Sequence, residues 1–250
     1  MRVFCVTSYK GTRYYGWERQ VGQITIEEEI EVALSKLFNR DINIYGSGRT
    51  DGGVHAYGQT FHFDVSDNKY DKDDLKYRLN QMLPADINII SITYLEDGTD
   101  FHSRFSSKSK VYEYRLSINN KNPFRYEYCW MVKTSDFDID LFDESLEKFI
   151  GQHNFQNFTS KEEDQNNFIR QIFEINRTFD VENQEIVVEI SGDGFMRYQI
   201  RYIIGVALNI AIGKEKLSYI DENLDSEKKR SITSYKAPAQ GLYLKEVRYK

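Results

Sequence analysis

Apolar and polar residues alternate along several short segments of the chain, and between these segments apolar residues recur at helical spacing. In the first half, the alternation predicts strands at Arg2–Tyr9, Ile42–Tyr45, Gln59–Val65 and Ile87–Leu95. Helical spacing predicts one helix that starts at a capping box of Thr25 and Glu28 and ends near Phe38, and a second from Asp71 to Met82. The resulting order, β-α-β-β-α-β, is that of a ferredoxin-like unit.

The second half repeats this order, although the sequence itself contains no detectable repeat. Strands are predicted at Lys108–Ile118, Tyr128–Lys133, Ile169–Val181, Ile186–Ser191 and Leu242–Arg248. A hairpin turn near Glu182 and Asn183 joins the third and fourth of these strands, and helices are predicted at Ile139–Ile150 and Phe195–Ile212. We therefore predict an α+β protein of two ferredoxin-like lobes, residues 1–106 and 107–250.

Composition narrows the class of protein. Hydrophobic residues make up 40% of the 250 residues and aromatic residues 14%, which indicates a folded globular chain. The net charge of −6 argues against a generic nucleic-acid binder, but six basic residues between Phe101 and Arg125, against the single acidic Glu113, form a basic strip suited to phosphate. Cys5 and Cys129 lack the spacing of a zinc site or disulfide framework. With neither a signal peptide nor a membrane span predicted, we expect a cytoplasmic protein.

The candidate chemistry centres on a glycine-rich segment, Gly46 to Ala56, which places Asp51 shortly after a β-like run. Glycines let the backbone adopt positive φ and approach a ligand closely. Arg49, two residues earlier, favours the ionised carboxylate, which suits a nucleophile or a ligand clamp better than a general acid. By spacing alone, an aspartate in such a turn is also an ordinary turn-former that binds its own backbone.

Two further sets of residues are candidates for a site. Arg197 and Arg201 are predicted at i and i+4 on one face of an apolar helix that contains no acidic residue. A buried guanidinium needs a partner, so at least one of them should meet a carboxylate or phosphate, unless that face is exposed to solvent. Tyr112 and Tyr114 lie on one side of a strand, where two tyrosines belong to a core as readily as to a binding site.

Five motifs together resemble the tRNA pseudouridine synthase A (TruA-type) family. They are G-R-T-D-G-G-V-H-A (48–56), F-H-S-R-F-S with Y-E-Y (101–106, 112–114), F-M-R-Y-Q-I-R-Y-I-I-G (195–205), G-T-R-Y-Y-G-W (11–17) and P-A-Q-G-L-Y-L (238–244). Gly52 replaces the usual Ala, and both residues are small. Tyr198 replaces the usual His, and we treat this second replacement as a peripheral change. Lys10 replaces Asp and Glu18 replaces Gln, both within a turn and away from the expected chemistry.

The resemblance implies two lobes whose strands join in one antiparallel sheet around a central catalytic cleft. It implies an isomerase that converts uridine to pseudouridine in the anticodon stem-loop of tRNA, at positions 38 to 40, and acts as a homodimer. Asp51 is then the catalytic nucleophile, Arg201 its ion-pair partner, and Tyr112 the ring that stacks on the target base. The other implied site residues are an RNA-binding or base-flipping pair, Arg49 and Arg104, and a pocket wall, Leu242 and Leu244.

The sequence leaves the mechanism and some competing functions open. Asp51 could attack C1′ of the sugar or C6 of the base, or the reaction could begin with loss of the C2′ proton to Asp51 or Tyr112. Each route requires a flipped-out uridine, and we expect no cofactor because one bond is exchanged for another within one molecule. The competing functions are a non-catalytic RNA-binding module, a related synthase for other uridines, and a metal-dependent hydrolase using Asp51, His55, His62 and Asp64.

Overall fold

The computed structural model describes residues 1–66, 69–160, 167–225 and 227–249. The chain divides into two compact units, Met1–Lys108 with Tyr243–Lys250 (unit 1) and Ser109–Leu242 (unit 2). The predicted lobes, 1–106 and 107–250, follow chain order and place the C-terminal strand in the second lobe, whereas the structure groups Tyr243–Lys250 with unit 1. Within the described residues, no helix is long and apolar enough to cross a membrane.

Unit 1 has the predicted order of elements: β1 Arg2–Tyr9, α1 Ile26–Phe38, β2 Tyr45–Gly46, β3 His55–Asp64, α2 Lys72–Met82 and β4 Ile87–Tyr94. β1 pairs antiparallel with both β3 and β4, and β2 pairs antiparallel with β3. The Thr25 hydroxyl accepts the Glu28 N–H, which confirms the predicted start of α1, and Asp71 caps α2. Local capping signals therefore place both helices correctly.

The predicted strand at Ile42–Tyr45 is wrong except for its last residue. The amide of Ile42 donates to the Ser35 hydroxyl at 2.9 Å, and that of Ile44 donates to a Glu31 carboxylate oxygen at 3.0 Å. Both isoleucine side chains are buried, so the alternation is that of a strand. Because side chains of α1 take these two backbone donors, 42–44 form no strand ladder.

The core of unit 1 lies on one face of its strands. Phe61 and Phe63 of β3 are fully buried, with ring centroids 6.1 Å from Trp17 and 6.2 Å from Phe38 of α1, respectively. Burying each such side chain stabilises the fold by about 1.5–3 kcal/mol. Since successive side chains of a strand alternate, His62 points to the opposite face of β3.

The remaining elements are β5 Ser109–Ile118, β6 Trp130–Val132, α3 Ile139–Glu147, β7 Gly151–Asn154, β8 Ile169–Asp180, β9 Glu185–Gly192, α4 Gln199–Ala211, α5 Ser218–Leu224 and β10 Leu242–Arg248. β5, β9, β8 and β7 pair antiparallel in that order, with the predicted hairpin between β8 and β9. The α+β class is confirmed. However, β6 pairs parallel with β5, and β10 parallel with β3, so the strand pairing is mixed and not wholly antiparallel.

The helix predicted from Phe195 begins four residues later. Tyr198 is its N-cap, with a left-handed backbone (φ 65°), and Gln199 is its first residue. The Met196 N–H donates to the side-chain oxygen of Gln199 at 2.9 Å, which holds this turn. Arg197 therefore lies outside α4, and the helix face that we predicted for Arg197 and Arg201 is wrong. Hydrophobic periodicity does not reveal a left-handed tyrosine, which is rare for a bulky residue.

Candidate active site

Asp51 lies half-buried in the loop between β2 and β3. Two backbone hydrogen bonds fix this loop on either side of it. The Trp17 N–H donates to the carbonyl of Thr50 at 3.0 Å, and the Gly53 N–H donates to the carbonyl of Tyr14 at 3.2 Å. The carboxylate is thus carried by a backbone that the 11–17 segment holds in place.

Two glycines of the 11–17 segment permit this close packing. A Cβ at Gly16, whose φ is 101°, would lie 2.5 Å from the carbonyl oxygen of Thr50. A Cβ at Gly11 would lie 1.9 Å from the carbonyl oxygen of Val54. Any larger residue at either position would push the loop of Asp51 out of place, which gives this motif a physical role in the site.

Arg49 is exposed at the start of the loop, and its guanidinium forms an ion pair with Glu18 at 2.5 Å. We interpreted Glu18 only as a change within a turn away from the chemistry, but the turn brings its carboxylate onto Arg49. Both side chains are well exposed, 70% for Arg49 and 46% for Glu18. An exposed pair of this kind contributes about 0–1 kcal/mol, so another anion can replace Glu18 at low cost.

Arg201 is buried on α4 in unit 2, and its side chain is held by its own unit. Its Nε donates to the carbonyl of Ala237 at 2.7 Å, while the Ala237 N–H donates to the carbonyl of Arg201 at 2.9 Å. Gly205, one turn further along α4, allows this approach, because a Cβ there would lie 2.2 Å from the carbonyl oxygen of Tyr235. The bond from Nε restricts the orientation of the guanidinium.

The ring of Tyr198 lies against three cations. The distances to its centroid are 4.9 Å from the guanidinium carbon of Arg197, 5.0 Å from that of Arg201, and 4.3 Å from Nζ of Lys236. Cation–π attraction contributes about 0.5–2 kcal/mol per contact. Tyr198 therefore supports Arg201 directly, and our interpretation of this position as peripheral is wrong.

Tyr112 and Tyr114 differ in their surroundings although they share one side of β5. Tyr112 is 8% exposed and meets Phe195 edge to face, with centroids 5.3 Å apart. Tyr114 is fully buried, its hydroxyl donates to the carbonyl of Pro238 at 2.9 Å, and burial raises the pKa of that hydroxyl. Tyr114 is thus a core residue.

The other predicted site residues fall into two environments. Arg104 is exposed in the turn between β4 and β5, whereas Leu242 and Leu244 of β10 are buried. The basic strip is only partly available to a ligand, because Arg115 and Arg125 both pair with a buried carboxylate, that of Glu185. Charge counted along the sequence therefore overstates the cations open to phosphate.

Three of the four side chains considered as metal ligands have separate partners. Asp64 forms a bidentate ion pair with Arg2, His62 lies 3.0 Å from the Ser103 hydroxyl, and His55 accepts a backbone N–H. Across the described ranges, no three His, Cys, Asp or Glu residues converge as metal ligands.

Known proteins are similar to the chain along nearly its whole length. A family model described as tRNA pseudouridine synthase matches residues 5–106 and 146–250. The tRNA pseudouridine synthase A of Streptococcus suis is 34% identical over 250 residues, and that of Streptococcus sanguinis is 36% identical over 250 residues. Each alignment covers 99% of this chain and 98% of the relative. Among solved structures, a Cbf5-Nop10-Gar1 complex is 11% identical with a TM-score of 0.38, over 84% of this chain and 54% of that one, which is too distant to carry weight.

Proposed function

Because the chain belongs to the tRNA pseudouridine synthase family, we propose that it isomerises uridines 38 to 40 of the tRNA anticodon stem-loop, with Asp51 as the nucleophile. The coarser activity follows from family membership: the chain is an isomerase that forms pseudouridine in tRNA, as its motifs predict. The choice of uridines and the roles of individual residues are the proposal.

The chemistry exchanges one glycosidic bond for another. The N1–C1′ bond breaks, the uracil turns, a C5–C1′ bond forms, and the proton on C5 leaves while N1 gains one. Substrate and product are therefore isomers, and neither water nor an oxidant is consumed. An ionised carboxylate can add to C1′ or C6, or it can take the C2′ proton that starts an elimination route.

The observation that carries the assignment of Asp51 is the rigidity of its loop. Backbone hydrogen bonds from Trp17 to Thr50 and from Gly53 to Tyr14 hold the residues on both sides of the carboxylate. A nucleophile works best when its position is fixed before the substrate arrives, since misplacement by about 1 Å can cost on the order of 100-fold in rate.

Arg201 is proposed as the ion-pair partner of Asp51. Its Nε is occupied by Ala237, so the terminal nitrogens form a planar fork suited to a carboxylate. Tyr112 lies on β5, edge to face with Phe195, and is proposed to stack on the flipped uracil. Arg49 and Arg104 are both exposed and are proposed to bind phosphate or occupy the vacated stack. Leu242 and Leu244 would supply an apolar pocket wall.

Three properties of the whole protein complete the proposal. Residues 1–106 and 107–250 act as two lobes, with the catalytic loop in the first. The active form is a homodimer, and it acts in the cytoplasm, where tRNA is modified. Gel filtration with light scattering measures the oligomeric state directly, because one protomer has a mass of 29.5 kDa.

Incubation with tRNA transcripts tests the proposed target. Transcripts with uridine at 38, 39 or 40 are treated with the protein, and pseudouridine is mapped by chemical sequencing. Matched transcripts with cytidine at these positions serve as the control. Product confined to positions 38 to 40 is expected, and product only at other uridines would favour the related synthase for other sites.

The same assay separates the remaining alternatives. A non-catalytic RNA-binding module yields no pseudouridine and tolerates Asp51→Asn without loss of binding or any other effect. A metal-dependent hydrolase loses activity with chelator and cleaves its substrate, whereas the proposed isomerase does neither.

A further inference from the structure

Three aromatic side chains of unit 1 form a continuous row at the surface, which we call the aromatic platform: Tyr45, His102 and Phe105. The ring centroids of Tyr45 and His102 lie 5.9 Å apart, and those of His102 and Phe105 lie 4.5 Å apart. Tyr45 is 49% exposed and Phe105 is 77% exposed. Rings grouped and exposed in this way are a feature of binding surfaces.

The platform rests on a rigid support. Tyr45 stacks on buried His62 with centroids 5.2 Å apart and planes inclined by 24°. His62 in turn accepts the backbone N–H of Ser103 at 3.2 Å. Burial lowers the pKa of His62 to about 4, so the supporting imidazole is neutral at physiological pH. Rings held in place before binding lose little conformational freedom when a ligand stacks on them.

The turn that carries Phe105 is also fixed by its own hydrogen bonds. The His102 N–H donates to the Ser106 hydroxyl at 3.0 Å, and the Arg104 N–H donates to Nδ1 of His102 at 3.1 Å. The Tyr249 hydroxyl donates to the carbonyl of Ser103 at 2.8 Å. Anchored at Ser103, the turn presents the next two side chains, Arg104 and Phe105, to solvent.

The charge beside the platform selects its ligand. The guanidinium carbon of Arg104 lies 5.9 Å from the centroid of the Phe105 ring, and within the described ranges no carboxylate forms a salt bridge with it. Exposed rings next to such a cation suit single-stranded nucleic acid, whose bases stack on the rings while its phosphates meet the cation. The platform also adjoins the proposed site along the chain, because Tyr45 begins the segment that leads to Arg49 and Asp51.

We propose that the aromatic platform of Tyr45, His102 and Phe105 binds unpaired, unstacked bases of the tRNA substrate. This inference rests on the proposed function, because it assigns the platform to the same substrate. The ligand is an unpaired RNA segment, since a paired stem offers no free base faces.

Fluorescence anisotropy with labelled tRNA measures the contribution of the rings. Phe105→Ala is expected to weaken tRNA binding by about 5- to 150-fold for each base that loses its stacking partner. Phe105→Leu, which keeps apolar volume without the ring, should weaken it similarly, whereas Phe105→Trp and Tyr45→Phe should bind like wild type. Tyr77→Ala, which removes another exposed ring (65%) on α2, serves as the matched control and should bind like wild type.

Salt dependence separates stacking from charge. Phe105→Ala should leave the slope of log Kd against log salt unchanged, because no phosphate contact is lost. Arg104→Gln should reduce that slope by about 0.7–0.9. The indole fluorescence of Phe105→Trp should change on addition of tRNA, as expected for a ring covered by a base.

Equal binding by wild type, Phe105→Ala and Phe105→Leu would overturn the inference. A second result would also overturn it: Phe105→Ala binds tRNA like wild type but has a different sedimentation coefficient in the absence of RNA. The aromatic platform would then be a contact between two copies of the chain. Failure of the proposed function is a separate result: wild type would form no pseudouridine at positions 38 to 40, whatever the binding data show.

Discussion

Replacement of Arg201 by lysine keeps the positive charge but removes the planar fork. Arg201 uses its Nε to donate to the carbonyl of Ala237 at 2.7 Å and stacks its guanidinium over the ring of Tyr198 at 5.0 Å. Lysine has no donor at the position of Nε and no flat face to stack. The substitution therefore frees the side chain from its fixed orientation and leaves the carbonyl of Ala237 without this donor.

The size of the effect follows from the contacts that are lost. A buried hydrogen bond from a charged group contributes about 1.5–3 kcal/mol. If this energy serves to place the guanidinium beside Asp51 in the transition state, kcat falls by about 10- to 160-fold. Affinity for tRNA should change by no more than a few-fold, because a single buried arginine contributes little to binding that phosphate contacts dominate.

Single-turnover pseudouridine formation and tRNA anisotropy measure the two quantities separately. Arg177→Lys is the matched control, because Arg177 forms a bidentate ion pair with Asp143, at 2.5 and 2.7 Å, at the surface. It should unfold within about 1 kcal/mol of wild type and retain full activity. Urea unfolding of both variants shows whether Arg201→Lys still folds.

The role of Arg201 as the partner of Asp51 is refuted if the folded Arg201→Lys variant turns over within about threefold of wild type. It is also refuted if the entire loss lies in tRNA affinity with kcat preserved, because Arg201 would then be an RNA-binding residue and not the partner of Asp51.

Four further changes test other parts of the site. Asp51→Asn and Asp51→Ala should abolish pseudouridine formation while the Kd for tRNA stays within a few-fold of wild type. Turnover by Asp51→Ala within tenfold of wild type would show that Asp51 is not the nucleophile. Tyr112→Phe keeps the ring that stacks, so affinity should persist, and a rate loss of about 100- to 10,000-fold would assign a proton transfer to its hydroxyl; wild-type turnover would leave stacking as its sole role. Glu18→Gln should tighten tRNA binding by up to about fivefold at low salt, because Arg49 no longer has a competing carboxylate. An equal gain when Glu18→Gln is combined with Arg49→Gln would contradict this explanation. Burial lowers the pKa of His62 from 6.5 to about 4, so the unfolded chain binds more protons in that window and the free energy of unfolding should fall as pH drops through it. His62→Gln should flatten this dependence, and an unchanged pH profile would assign the effect to other groups.

Elements fixed by local interactions follow directly from the sequence. Thr25 and Asp71 cap α1 and α2 because a side-chain oxygen next to unpaired amides satisfies them wherever the helix lies. Alternation locates β1 and β4, since one face of each is buried. The identity and spacing of Arg49, Asp51 and Arg201 within their motifs likewise indicate the family and its reaction.

Only the tertiary structure decided which partner each polar group takes. Residues 42–44 have the pattern of a strand, yet Ser35 and Glu31 of α1 capture two of their amides. Glu18 and Arg49 lie far apart in sequence, and their ion pair exists because the 11–17 segment packs on the loop of Asp51. The row of Tyr45, His102 and Phe105 has the same origin, since β2 and a distant turn meet on His62. Sequence patterns report what a residue needs, such as burial, a cap or a counter-charge. The residue that meets the need depends on distances across the fold, which no local pattern contains.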